Sequence, residues 1–454
     1  MAENPCNPSR IDMRTAVPIP IKTIHYLIHF ILGEEIDSSI ANCIGYTNDL
    51  NAFHKYKVVI RPSAFFSEEI FGTKASLPKT PLLKIMDIPI LYGSAKEEWH
   101  GKTWVVSADI IASSYFLLSR YEEAICRDKR DLHGRFSAKD SVLYGEKTIL
   151  RPLVDEYRSM LHRWLKQAGM KVPTPKRGIS HYFLTHDVDA PTYCRTWRNV
   201  LRCTKQGHNP LHALRWKGGS LEKDPYYTFP FLLETNQLLA EKKENVSSLF
   251  FIKTGGTSRQ DKPFYDLHSE DIQSLFALAA KYKTIIGLHS SYDAGGKPSL
   301  IPSEKATLEK ALGTPITTNR HHFLRSKEPE DMNALEKAGI TDDFTIGFAD
   351  HVGFRLGTAR PVRRIDPLSG TLGTLLLHPL LVMECSLSDP QYMNLSEDKA
   401  FDFCQDIAQQ VDKHGGELVL LWHNTSFAPL EMQTNSNFCH IKLYHQLIQH
   451  LLNK

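Results

Sequence analysis

This chain lacks any paired-cysteine motif. Its eight cysteines, Cys6, Cys43, Cys126, Cys194, Cys203, Cys385, Cys404 and Cys439, are scattered singly, without a CxxC. That excludes a small disulfide scaffold and reads as reduced core thiols. Charge of one sign is also missing: 54 Lys and Arg face 51 Asp and Glu, a net +3, too mild for a nucleic-acid surface. No apolar run is long enough to cross a bilayer, which takes about 20 residues. The most apolar early stretch, Ile21 to Leu32, carries Lys22, His25 and His29. The first residues, MAENPCNPSR, are polar and lack the basic-then-apolar order of a secretory signal. These absences predict a cytoplasmic protein with no membrane span and no nucleic-acid partner. Short-period repeats and low-complexity tracts are absent too.

What is present is enough apolar residue, 42% of the chain, to bury full cores, in a length that suits two or three domains. Two textures follow each other. Up to about Leu165, helical spacing (Ile24, Leu27, Ile28, Ile31; then Ile110 to Leu118; then Pro152 to Leu165) mixes with short strands at Val58–Ile60 and Ile88–Leu91. Lys171–Gly178, with two prolines and a glycine, reads as a linker. Beyond it, apolar runs at His181–Thr185, Leu249–Lys253, Thr284–Leu288, Pro315–Thr318, Phe344–Gly347, Thr374–Leu377 and Glu417–Trp422 alternate with helical patterns. The helices are expected at 231–241, 272–282, 304–312, 330–338, 400–413 and 441–452. Such alternation predicts a mainly parallel sheet.

In parallel α/β architectures the chemistry sits at the carboxyl ends of the strands. Four runs end in polar clusters: Thr185-His186-Asp187-Val188-Asp189, His289-Ser290-Ser291 with Asp293, Asn319-Arg320-His321-His322, and His423-Asn424. In extended backbone, Asp187 and Asp189 point to one side. Two carboxylates so close call for a cation or donors. His289 and Asp293, four apart, share a face if a helical turn follows. Arg320 and Arg325 offer planar donor forks, and His423 suits a general acid. Taken singly, each feature has a plain structural explanation: a turn cap, a surface pair, a solvated loop histidine, a hydrogen-bonded core histidine.

Together, and in this order, the clusters resemble the polysaccharide deacetylase (NodB-like) family. That family is similar in having T-x-D-x-D or T-x-D-D, then H-[ST]-x-x-[HS], then an arginine motif, then a strand ending Leu-x-His. Here these are Thr185–Asp189, His289–Asp293, Arg320–Phe323 and Leu421-Trp422-His423. The wider pattern is similar to bacterial deacetylase-like proteins with a long N-terminal region: DIIASSYFLLSRYEE at 109–123, RDLHGRF at 130–136, RPLVDEY at 151–157 and GFADHVGFRLGT at 347–358. The resemblance implies an α/β chain in which a distorted (β/α)7-type barrel, residues 178–454, follows an α/β N-terminal accessory domain, residues 1–175. It implies a divalent ion, zinc first, with cobalt, nickel or iron as alternatives. Asp187 would be the general base, Asp189 and His289 metal ligands, Arg320 the partner of Asp187, and His423 the acid that protonates the leaving amine. The metal would polarise the amide carbonyl and activate water.

Two departures stand out. Asp293 replaces the family's histidine or serine and is expected as third ligand; His322 replaces a proline. The expected substrate-contacting set is His322, Arg325, Asp350, Arg355 and Trp422. Asp350 and Arg355 lie in a Gly347–Thr358 stretch read as a cleft wall. The insert Cys194–Lys217, with Arg195, Arg198, Arg202, Lys205, Arg215, Lys217, Trp197 and Trp216, reads as a lid or as a dock for an anionic glycan. The expected activity is removal of acetyl groups from an N-acetylated or O-acetylated carbohydrate or polysaccharide. The alternatives are a catalytically silent glycan-binding barrel and a metal-dependent hydrolase of another non-peptide C–N bond.

Overall fold

The computed structural model describes residues 18–33, 36–205, 207, 209–432, 435 and 437–454. The opening MAENPCNPSR stretch, with Cys6, lies outside them. In the N-terminal region the helix Ile21–Leu32 buries Ile24, Leu27, Ile28 and Ile31 on one stripe. It packs beside helices Ile110–Leu118 and Leu153–Gln167. Strands β1 (Ile44–Tyr46), β2 (Val58–Ile60), β5 (Gly93–His100) and β6 (Thr103–Ala108) form a four-stranded sheet in the order β1-β2-β6-β5. Between them β3 (Leu83–Ile85) and β4 (Ile88–Ile90) form a separate two-stranded pair. Residues 171–177 carry no regular structure, as two prolines there dictate.

The remaining strands build one nine-stranded sheet: β7 (Ile179–Val188), β8 (Val246–Lys253), β9 (Ile285–Ser290), β10 (Thr318–His321), β11 (Asp342–Asp343), β12 (Val362–Ile365), β13 (Leu372–Leu377), β14 (Leu380–Met383) and β15 (Gly416–Leu421). Their order is β12-β13-β11-β10-β9-β8-β7-β15-β14. Every pairing is parallel except β12 with β13. Side chains alternate between two cores. Tyr182, Leu184, Val188, Phe250, Ile252, Leu418, Leu420 and Trp422 join the large cluster that extends into the helices and the N-terminal region. Leu249, Phe251, Phe344, Leu380, Val419 and Leu421, with Phe183, form a second, inner cluster. The sheet is therefore curled. Its β14 end meets the backbone that follows β11, where Leu380 N donates to Ile346 O (3.0 Å) and Gly353 N to Leu381 O (2.9 Å).

Most expected elements are present with shifted ends. The helices run Phe229–Ala240, Glu270–Lys281, Ile301–Leu312, Glu330–Lys337, Glu397–His414 and His440–Leu452. Three differences matter. Strand β10 begins where the Pro315–Thr318 run ends. Phe344–Gly347 is irregular, because Thr345 N and Oγ1 turn back onto the Asp343 carboxylate and Gly347 N onto Thr345 O; local bonds take the groups a ladder would use. Strands β12 and β14 were not anticipated. None of the seven described cysteines is disulfide-bonded, and no helix among the described residues is long and apolar enough to cross a membrane.

Candidate active site

Parallel register brings the ends of β7, β8, β9, β10 and β15 together. Arg320 pairs with His289, and His289 with Lys253. Alternation along β7 sends Thr185 and Asp187 inward and His186 and Val188 outward. His186 is accordingly structural: its Nδ1 bonds Trp422 O (2.8 Å), its Nε2 faces Asn236 Nδ2 (3.0 Å), and burial pulls its pKa down to about 4.

Three side chains converge where a cation would sit: Asp189, His289 and His322. His289 Nε2 lies 3.3 Å and His322 Nε2 3.2 Å from the same oxygen, Asp189 Oδ1. The far nitrogen of each ring is engaged. His289 Nδ1 is 2.9 Å from Arg320 O, an acceptor, so Nδ1 carries the proton and Nε2 presents its lone pair. His322 Nδ1 lies 3.0 Å from Asp261 Oδ1. Asp261 is itself held by Tyr292 N (2.7 Å) and Ser258 Oγ (2.7 Å). Asp189 Oδ1 and His289 Nε2 are both buried and without a hydrogen-bond partner. Burial lowers the His289 pKa, so a neutral imidazole's lone pair confronts a carboxylate's. A divalent ion between them resolves that clash, and the donor set of one carboxylate and two imidazoles suits zinc or a similar ion. Burial disfavours charge on Asp189, yet His322 holds its carboxyl well below the usual range. Burial opposes protonation of His322, but Asp189 and Asp261 raise its pKa.

Asp293 is not in this group. Its Oδ2 accepts from Thr257 N (2.7 Å), Thr257 Oγ1 (3.0 Å) and Ser258 N (3.2 Å). It pins the loop after β8, while His322, expected only as a substrate contact, stands in its place.

Asp187 lies beside the group. Arg320, fully buried, donates from NH1 to Asp187 Oδ1 (2.9 Å) and to Thr185 Oγ1 (2.7 Å), and from Nε to Phe344 O (3.0 Å). Its guanidinium stacks over Phe251 at 4.5 Å. The other oxygen, Asp187 Oδ2, lies 3.6 Å from His289 Nε2 and 3.9 Å from His423 Nε2. His423 follows β15, and its Nδ1 meets Glu384 Oε1 at 2.6 Å. Glu384 also accepts from His423 N and Ser426 Oγ. Burial opposes both charges, but their pairing pulls Glu384 down to about 2 and raises His423 well above its ordinary value.

Four expected substrate contacts are occupied elsewhere. Trp422 is fully buried on the outward side of the sheet against Tyr444 (5.1 Å), because alternation opposes it to Leu421 and His423. Arg325 braces backbone, donating to His133 O and Tyr292 O. Asp350 accepts from Ser137 Oγ and Ala138 N. Arg355 is buried against Glu123 and Gly347 O. The Gly347–Thr358 stretch is thus a seam with the N-terminal region, not a free cleft wall.

Residues not anticipated are Glu384, Asp261 and Lys253, whose Nζ donates to Asp189 O (3.3 Å). Glu384 was findable: it directly follows the apolar run Leu380–Met383, the position that singled out the other clusters. Of the basic insert, Arg195 is consumed by Asp271 and the carbonyls of Trp216, Lys217 and Gly219. Arg202 stacks on Tyr193 (5.6 Å). It lines a pocket of about 340 Å³ that Cys385 and Ser426 also border, on the His423 side of the site.

Residues 19–170 match DUF7033, a family of unknown function. No curated protein matches the chain. Among solved structures, the chain is similar to a "putative polysaccharide deacetylase" from Mycobacterium smegmatis, at 16% identity and a TM-score of 0.36, over 62% of this chain and 88% of that one.

Proposed function

We propose that this chain is a metal-dependent hydrolase that removes acetyl groups from an N-acetylated or O-acetylated carbohydrate. On this reading its site lies at the mouth of a distorted (β/α)7-type barrel of residues 178–454, preceded by an accessory unit of residues 1–175. The observation that carries the proposal is the convergence of Asp189, His289 and His322, with two lone-pair atoms buried and unpartnered, beside a separately anchored carboxylate and a separately anchored imidazolium. A purely structural cluster has no need of all three.

Asp189, His289 and His322 would hold the ion, and three protein ligands leave a position open, as catalytic sites require. When bound, the ion supplies Lewis-acid polarisation of the acyl oxygen and a more acidic water. The chain's own residues do the rest. Arg320 ties up Asp187 Oδ1 and leaves Oδ2 facing the site, where it accepts the proton of the attacking water. Water oxygen bonds to the acyl carbon, and the bond to nitrogen or oxygen of the sugar breaks. His423, held protonated and oriented by Glu384, gives its Nε2 proton to that departing atom. Asp261 and the Arg320 carbonyl fix the ring orientations of His322 and His289, the usual support for ligating imidazoles. The carbohydrate assignment rests on the motif resemblance.

Elemental analysis of the purified chain, beside the double variant Asp189→Ala/His289→Ala, tests the centre. The reading expects near-stoichiometric zinc, cobalt, nickel or iron in the wild type, its loss in the variant, and acetate release from 4-methylumbelliferyl acetate or chitopentaose only by the metal-loaded protein. A chain that takes up no ion after incubation with each would point instead to a silent glycan-binding barrel.

A further inference from the structure

A loop of the N-terminal region, residues 131–135, lies against the turn that follows His322. Residues 131–135 form a tight turn in which the Asp131 carboxylate accepts from His133 N and Arg135 N (both 2.9 Å). Gly134 takes a φ of +78° at the bend. Arg135, 7% exposed, locks the turn onto the sheet-bearing part: Nε bonds Asp131 (2.8 Å), NH1 donates to Phe323 O (3.0 Å) and NH2 to Tyr392 Oη (3.0 Å). From the other side Arg325 Nε holds His133 O at 3.0 Å. Next along the chain, Ser137 and Ala138 fasten to Asp350.

That anchorage delivers one ring. His133 lies 4.9 Å from Phe323 and 5.8 Å, edge-on, from Tyr292, with Nδ1 3.3 Å from the Tyr292 hydroxyl. Phe323 in turn sits 4.8 Å from His322, a proposed metal ligand. All three rings of the platform are half-exposed. Phe323 and Leu324 follow His322 with φ of +62° and +53°, a backbone region that costs non-glycine residues about 1–3 kcal/mol each. The Arg135 bond to Phe323 O is therefore an N-terminal clamp on a strained turn whose aromatic ring stays half-exposed beside His322. Rings with apolar faces and polar edges suit the C–H face and hydroxyl rim of a pyranose.

We propose that the N-terminal region forms one wall of the substrate cleft, and that His133 meets the sugar ring next to the acetylated position by stacking. The choice of ligand rests on the hydrolase reading above. The DUF7033 segment is then part of the cleft and sets which glycan enters.

The test uses the full zinc-loaded chain and calorimetric binding of chitopentaose by wild type, His133→Ala and His133→Phe. Zinc content and 4-methylumbelliferyl acetate hydrolysis are read on the same samples. The wall predicts that His133→Ala weakens the pentasaccharide about five- to tenfold, that His133→Phe keeps most of the affinity, and that zinc and ester hydrolysis are unchanged in both. Unchanged affinity in the alanine variant, equal loss in the phenylalanine variant, or no binding by wild type would each overturn it. Missing ester hydrolysis in a wild type whose sugar binding still depends on His133 would sink the hydrolase reading and leave the wall standing.

Discussion

At the scale of single residues, the proposed centre turns on which donor would complete a cation's ligand set. A motif comparison assigns the third ligand to the position four after His289, where this chain has Asp293. The structure offers another: His322, from the turn after β10, aimed at the oxygen that His289 also faces. The difference is physical. Ser291 caps the short helix that starts after β9 by accepting from Ala294 N, and that helix carries Asp293 outward onto Thr257 and Ser258. His322 takes the vacated place, in a position where a proline would offer no ligand. Titration of zinc into His322→Ala and Asp293→Ala separates the two. The first is expected to weaken binding by a hundredfold or more, a ligand's loss being worse than the roughly 10–100-fold cost of losing an outer partner; the second changes it only through loop stability. The reverse order would restore the family's spacing. Asp187, His289, Arg320 and His423 were legible because each follows an apolar run by one or two residues, and Asp189 because it stands two beyond Asp187 on the same side of extended backbone. His322's part was not, because nothing in a histidine pair says which ring turns inward.

At the scale of elements, apolar runs and helical periodicity placed seven of the nine strands' neighbourhoods and all the long helices of the second part, with ends off by a few residues. The misses share a cause. β12 and β14 are short, four residues each, and β14 follows β13 after a two-residue break that reads as one long run. That break holds His378, which bridges the starts of two strands at the end of the sheet remote from the site. Its Nδ1 lies 2.7 Å from Glu417 of β15 and its Nε2 3.0 Å from Asp342 of β11, while the ring stacks on Phe344 at 4.4 Å. Burial works against the charge, but the two carboxylates raise the His378 pKa to about 9. A raised histidine pKa stabilises the fold fully below the unfolded value near 6.5, and that contribution fades as pH climbs through about 9. Wild type and His378→Gln, unfolded in urea across pH 6 to 10, should therefore differ most at the acid end. The gap should close by up to about 3 kcal/mol toward pH 10. A gap independent of pH would mean that the histidine is neutral in the folded chain.

At the scale of the whole molecule, the linker and the change of texture near residue 175 suggest an N-terminal accessory domain packed on the second part, and one apolar cluster joins the two. The large apolar cluster runs without a break from Ile24, Leu117 and Val154 to Phe354, Leu356 and Leu418. Gly357, at φ +66°, allows its backbone to approach so closely that a Cβ there would meet Leu117 Cδ1 at 2.8 Å, and Val154 N donates to Gly357 O at 2.8 Å. Across the same seam Glu123, between Arg120 (2.8 Å) and Arg355 (2.7 Å), begins a buried chain of charge that continues from Arg120 to Glu328 and from there to Arg364. Burial alone would raise the Glu123 pKa, but the two guanidiniums hold it at about 2. Glu123→Ala leaves those two cations buried without their shared partner, which costs about 3–5 kcal/mol where one member of a buried pair is removed. Because the charge joins both parts, the loss should lower a single calorimetric transition for the full chain by roughly 3–5 °C, with the N-terminal helices and the nine-stranded sheet melting together. Two resolved transitions, only the earlier one shifted by Glu123→Ala, would show that the halves are stable separately. In that case the loop bearing His133 would be a docked contact, held at the cleft only as firmly as the interface itself.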